Sequence, residues 1–157
     1  MIVENVKPNG KLRLVLTDTI TGEVKEDHTE NLIVTVGRAH IASRMEGVTD
    51  AVMDWMQVST GTTIPAAGNT DLETPAGLDA TKQQMDTTTI VTENVTDDSI
   101  EFVASWAAGE DTGAITEAGI FNNSATSTGD MLARTTFSVI NKGVNDSLTI
   151  TWRITIA

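Results

Sequence analysis

Leu148-Thr149-Ile150-Thr151-Trp152-Arg153-Ile154-Thr155-Ile156 decides the fold, because every second residue is apolar and each intervening one is Thr or Arg. Successive side chains of a strand point to opposite sides of its sheet, so a period of two marks a strand with one buried face. Leu148, Ile150, Trp152, Ile154 and Ile156 are expected to share that face. Burying five such side chains is worth on the order of 10 kcal/mol before the entropy of ordering them is subtracted. Working outward, Ile100-Glu-Phe102-Val-Ala104-Ser-Trp106 alternates in the same way, and Leu12-Arg-Leu14-Val-Leu16 and 131–139 do so more weakly. Frequent threonine suits a pleated, half-exposed surface.

Turn-forming residues stand where these strands should end, at 18–22, 97–98, 109–113, 122–129 and 141–146. The expected fold is mostly β, an antiparallel β-sandwich or barrel-like domain with one short helix and a long loop or arm. The helix is placed at 36–45, where Ile41 and Met45 are four apart, Arg38 and Arg44 can point outward, and Gly47 ends it. No repeat, linker or charge block divides the 157 residues, so a single domain is expected. The segment 60–77 is rich in Gly, Thr, Ala and Pro, and a loop of that length is usually functional or disordered. It is read as an arm laid across a neighbour, with a connection packed on its own domain as the competing reading.

With 22 acidic and 10 basic side chains the formal charge is -12, which repels a polyphosphate backbone and an anionic membrane surface. No window approaches the run of about 18 apolar residues that a membrane helix needs. Neither nucleic acid nor membrane is therefore an expected partner. Met1-Ile-Val-Glu-Asn-Val-Lys-Pro lacks the pattern of a secretory signal, so export by that route is not expected. The absence of cysteine excludes disulfides and thiolate metal sites.

Catalytic patterns are scarce. His28 and His40 form no closely spaced ligand set and are read as surface histidines, His28 in a turn and His40 on the helix. Gly61-Thr-Thr-Ile-Pro-Ala-Ala-Gly68 has no Lys-Ser/Thr after it and cannot act as a phosphate loop. There is no GxSxG elbow, and the acids at 97, 98, 101, 110, 111 and 117 match neither a calcium loop nor any distinctive glycosidase spacing. The expectation is a protein without enzyme activity, cofactor or metal. Glu117 stands apart among apolar neighbours in Ile115-Thr-Glu-Ala-Gly-Ile-Phe121, where a charge needs a partner. Either a structural ion pair with Arg134 or Arg153, or exposure on the solvent face of a strand, would meet that need. Trp106 and Trp152 fall in phase with core residues, whereas Trp55, between Met53 and Met56, is the surface candidate. Interface residues are sought among apolar groups at the terminus and in the loop, namely Ile2, Val3, Ile64, Pro65 and Leu72.

Three stretches carry a likeness: Asn31-Leu-Ile-Val-Thr-Val-Gly-Arg38 leading into the helix, the run 58–75, and Ile115-Thr-Glu-Ala-Gly-Ile-Phe-Asn122 followed by Gly129-Asp-Met-Leu-Ala-Arg134 and the closing strand. Their order resembles small structural proteins of tailed bacteriophages, both head decoration or cement proteins and tail or fibre attachment modules. The resemblance implies a β-rich virion protein made in many copies and active by binding alone. It further implies assembly in the host cytoplasm, a place on the outer head surface, contacts with the major capsid protein or other virion proteins, and a homo-oligomer.

Overall fold

A computed structural model describes residues 7–48, 50–75, 77–78 and 81–156. Among these, the chain runs through β1 (Asn9–Asp18), β2 (Val24–Ile33), α1 (Thr35–Glu46), β3 (Trp55–Ser59), β4 (Gln83–Gln84), β5 (Thr87–Val91), β6 (Ser99–Trp106), β7 (Gly113–Phe121), β8 (Met131–Lys142) and β9 (Asp146–Thr155). The strands form one antiparallel sheet in the order β4-β3-β7-β8-β2-β1-β9-β6-β5, curled into a half-barrel. This is the mostly β, barrel-like fold that the alternating strands predict.

The closing strand lies at the middle of one half of the curl. Leu148, Ile150 and Trp152 stand opposite Leu16, Leu14 and Leu12 of β1 on one side and Trp106, Ala104 and Phe102 of β6 on the other. All nine are buried, and Met56, Val58, Ile115, Ala118, Ile120, Leu132 and Ala133 of β3, β7 and β8 cover them from across the core. Ile156, expected on the same buried face, lies just past β9 and is exposed.

Two devices curl the sheet. β2 pairs with β1 over eight positions but with β8 only at Leu32 and Ile33, so it hinges one half onto the other. On the far side, consecutive strands β4 and β5 pair with β3 and β6, the opposite ends of the curl. Between them the Met85 N–H bonds the Asp54 carbonyl (2.9 Å) and the Asp86 N–H the Val103 carbonyl (2.7 Å), so one short run of chain serves both edges. A strand that bends from one layer into the next is a common way to make such a corner.

β2 also corrects an expectation, since His28 lies mid-strand and not in a turn. Val24 to Glu30 is largely exposed, so backbone pairing with β1 holds this charged segment extended without an apolar face to announce it.

The helix forms as expected and ends at Gly47, whose left-handed conformation (φ 85°) lets its N–H reach the Arg44 carbonyl. Its buried face is Gly37 and His40, packed on the start of β8. A Cβ at Gly37 would lie 2.1 Å from the Leu132 carbonyl oxygen, so only glycine allows this approach. His40 is therefore buried instead of on the surface, its Nδ1 3.9 Å from Asp130 Oδ2, while Met45 points to solvent.

Candidate functional site

β7 carries a register shift between Ile115 and Glu117 that moves the strand's phase by one residue. Ile115, Ala118 and Ile120 then face the core, and Glu117, Gly119 and Phe121 face the other side of the sheet. Glu117 is nevertheless fully buried, because 61–74 folds over it. The Gly61 and Thr74 N–H groups donate to its Oε1 (3.1 Å each), as does the Thr74 hydroxyl (3.3 Å). The Glu73 N–H (3.1 Å), Arg134 Nε (2.9 Å) and Arg134 Nη2 (2.8 Å) donate to Oε2. A side chain at Gly61 would occupy the carboxylate's own space, its Cβ 2.3 Å from Oε1.

Arg134 is buried beside it and also donates to Asn69 Oδ1 (3.1 Å) and Thr63 Oγ1 (3.4 Å). Glu73 accepts from the Thr62 and Thr63 N–H groups (2.6 and 2.8 Å), which lower its carboxyl pKa. Ser59 donates to the Thr74 carbonyl, and Gln57 to that of Pro75 (2.6 Å). One buried ion pair thus organises the whole long loop. It is saturated from within, and every contact named here has a structural role.

Of the two readings of 60–77, the contacts within the chain match the connection packed on its own domain: its described residues 61–75 lie on their own sheet. Leu72, expected at an interface, is buried with Val34, Phe121 and Met131 in a second apolar cluster beneath the loop. Burial there removes its side chain from water as completely as an interface could. Trp55 packs against the same cluster and is half-buried, not a surface tryptophan. Ile64 at the loop tip is 86% exposed and Pro65 half-buried. Ile2 and Val3 lie outside the described residues. Trp106 and Trp152 are core residues, and Trp152 Nε1 donates to Asn31 Oδ1 (3.0 Å).

Arg153, the other partner considered for Glu117, lies on the outer face of the sheet and pairs with Glu93 (2.5 Å) and Glu101 (2.6 Å). Lys11 approaches Glu93 at 3.6 Å, and Arg13 holds Glu26 through two hydrogen bonds of 2.7 and 2.8 Å, with His28 also on Glu26. Arg13 and His28 together hold the Glu26 carboxyl at a pKa of about 2. These exposed pairs contribute little stability, and they make the outer face of β2, β1, β9 and β6 a charged, hydrated surface.

An open cleft lies where the inner face of β5, β6 and β9 extends toward α1. It encloses about 720 Å³ between Ile41 and Met45 on the helix and Ile90, Ile100 and Ile154 on the strands, with Phe102 among its lining residues. The rim includes Asp97 and Asp98, but the Asp98 carboxylate is taken up by the N–H groups of Glu93, Asn94 and Val95. His40 and Arg44 of α1, with Thr88 and Ser99, also line it, so its walls combine a mainly apolar contact area with polar groups at the margin. Beside it runs β5, Thr87-Thr-Thr-Ile-Val91, last in the strand order. Four of its five residues are exposed, Ile90 at 66%. β5 shows no apolar–polar alternation, although an uncharged run of β-branched residues is a strand signal in itself. Among the described residues, no three His, Asp or Glu side chains are grouped to hold a metal ion, and no helix is long and apolar enough to cross a membrane.

Compared with known proteins, the chain matches no family model, no curated protein and no solved structure.

Proposed function

We propose that this chain is an adhesive structural protein of a virion, a capsid decoration or cement protein that binds the outside of the head and stabilises it by bridging capsid subunits. The observation that carries the reading is the contrast between its two notable regions. The buried ionic cluster spends its donors on internal scaffolding, whereas the cleft beside α1 is mostly apolar and flanked by an uncharged strand whose outer edge has no partner among the described residues. Such a surface suits docking of another chain, and many weak contacts of this kind add up when copies are numerous. The net charge of -12 suits the outside of a DNA-filled shell, where contact with the packaged polyphosphate is avoided. The likeness of three stretches to tailed-phage structural proteins supplies the virion context.

The alternative is a tail or fibre attachment component with a glycan-binding surface on 122–129. That loop supports it weakly, because the Asn122 Oδ1 accepts the Asp130 N–H (2.7 Å) and the Asn123 Oδ1 accepts the Ala125 N–H (2.9 Å) and the Thr128 hydroxyl (3.0 Å). Its amide oxygens already have partners. Quantitative gel densitometry of purified particles, combined with low-resolution imaging of labelled protein, separates the two. Hundreds of copies on the head support decoration, and a few to dozens at the tail support attachment. Absence from particles, or turnover of a capsule polysaccharide, overturns the structural reading.

A further inference from the structure

We propose that β5 is a self-association edge, and that two copies of this chain join by antiparallel pairing of β5 with β5 about a two-fold axis at Thr89. The proposal names a partner for the adhesive surface described above and rests on that reading only for the expectation that the protein assembles.

An open strand edge is a hazard that soluble proteins usually blunt with a charge, a proline, a bulge or a covering segment. Among the described residues, β5 has none of these. Thr87, Thr88, Thr89, Ile90 and Val91 carry no charge in a chain with 22 acidic side chains, and the register with β6 runs without a shift from Thr87↔Val103 to Val91↔Ser99. Among the described residues the five make no hydrogen bond to any segment other than β6. At the other end of the strand order, β4 has only two residues and offers a much shorter edge.

A second copy fits this edge for a reason of charge. Two chains of -12 repel one another over most of their surfaces, so self-association needs a place where acids do not meet. With Thr89 opposite itself, Thr88 stands opposite Ile90 and Thr87 opposite Val91. Beyond them Asp86 meets Thr92 and Glu93 meets Met85, so no acid opposes an acid. A register shifted by one residue toward the C-terminus would set Asp86 against Glu93, and cross-strand like charges destabilise a pair. The Thr89 register also keeps corresponding faces on one side of the joined sheet. Both apolar clefts then open on the same side of the seam, and each Ile90 gains a β-branched neighbour from the other copy.

The chain has no cysteine, which makes crosslinking decisive. Directly opposed residues in an antiparallel pair have Cα atoms roughly 4.5–5.5 Å apart, within reach of a disulfide, whereas residues displaced by four positions lie about 14 Å apart. The full chain carrying Thr89→Cys should therefore oxidise to a covalent dimer, Thr87→Cys should not, and the double variant Thr87→Cys with Val91→Cys should. Ile90→Lys should shift the sedimentation profile to monomer while leaving the melting temperature within a degree or two, because the side chain is exposed. A chain that stays monomeric at every concentration, or equal crosslinking through Thr87→Cys and Thr89→Cys, overturns β5 pairing. Because all of this is measured on the isolated protein, its failure is distinguishable from absence on the virion.

Discussion

Glu117 and Arg134 carry the most demanding chemistry in the molecule, since a buried charge is tolerated only when it is paired and hydrogen-bonded. Removing one partner strands the other. Glu117→Gln is expected to lower the unfolding free energy by about 3–5 kcal/mol, measured by urea denaturation, and an unchanged midpoint would refute the role assigned to the pair. The same variant should make 60–77 accessible to protease, because the loop's N–H groups at Gly61, Glu73 and Thr74 converge on that carboxylate. Asp98 shows a second use of a carboxylate. Backbone N–H groups of Glu93, Val95 and Asn94 hold its pKa well below the usual carboxylate range, with burial opposing them and Ser99 assisting. A depressed folded pKa contributes stability that is complete above the unfolded value of about 4 and lost as pH falls through the folded value. Asp98→Asn should therefore melt below wild type at neutral pH, and the two curves should converge in acid. A constant gap from pH 7 to strongly acidic solution would show that its charge is not what matters.

At the scale of elements, α1 is held less by its own pattern than by one close approach. Its N-cap, Val34, makes no side-chain capping bond, and its contact with the sheet passes through Gly37 against the Leu132 backbone. Gly37→Ala gains helix propensity, worth up to about 1 kcal/mol, but cannot keep this packing. It should cost roughly 1–3 kcal/mol overall, in the range of an overpacked contact. Hydrogen exchange should then show α1 losing protection while β9 keeps it; retention of α1 protection would mean that the helix docks through other residues. Since α1 forms one wall of the apolar cleft, the substitution should also alter whatever the cleft binds.

For the whole molecule, the curl places residues distant in sequence side by side. β1 pairs with β9 along their full lengths, and most of the folding contacts are non-local. The same curl sorts the surface into a charged outer face on β2, β1, β9 and β6 and an apolar cleft with an uncharged edge at β5. Charge and edge act oppositely on assembly. Salt screens the repulsion between copies over about 10 Å at 0.1 M, while a backbone-paired apolar seam is little weakened. The dimer fraction in sedimentation equilibrium should therefore rise with salt, and a fall would point to an interface built on ion pairs.

The sequence by itself determined the β class, the closing strand, the inward faces of β1, β6 and β9, and the position and end of α1. Each of these depends on local periodicity or on a single terminating glycine, and such information resides within a few neighbouring residues. Glu117 was also legible as a charge needing a partner, because its neighbours are apolar. The tertiary structure alone decided that the partner is Arg134 and not Arg153, since a one-residue register shift in β7 sends that side chain to the loop-covered face. It alone placed Leu72 and His40 in buried positions, made β2 a strand despite its charges, and set the uncharged β5 at an open edge. Burial and strand order depend on which distant segments meet, and no local pattern encodes that meeting.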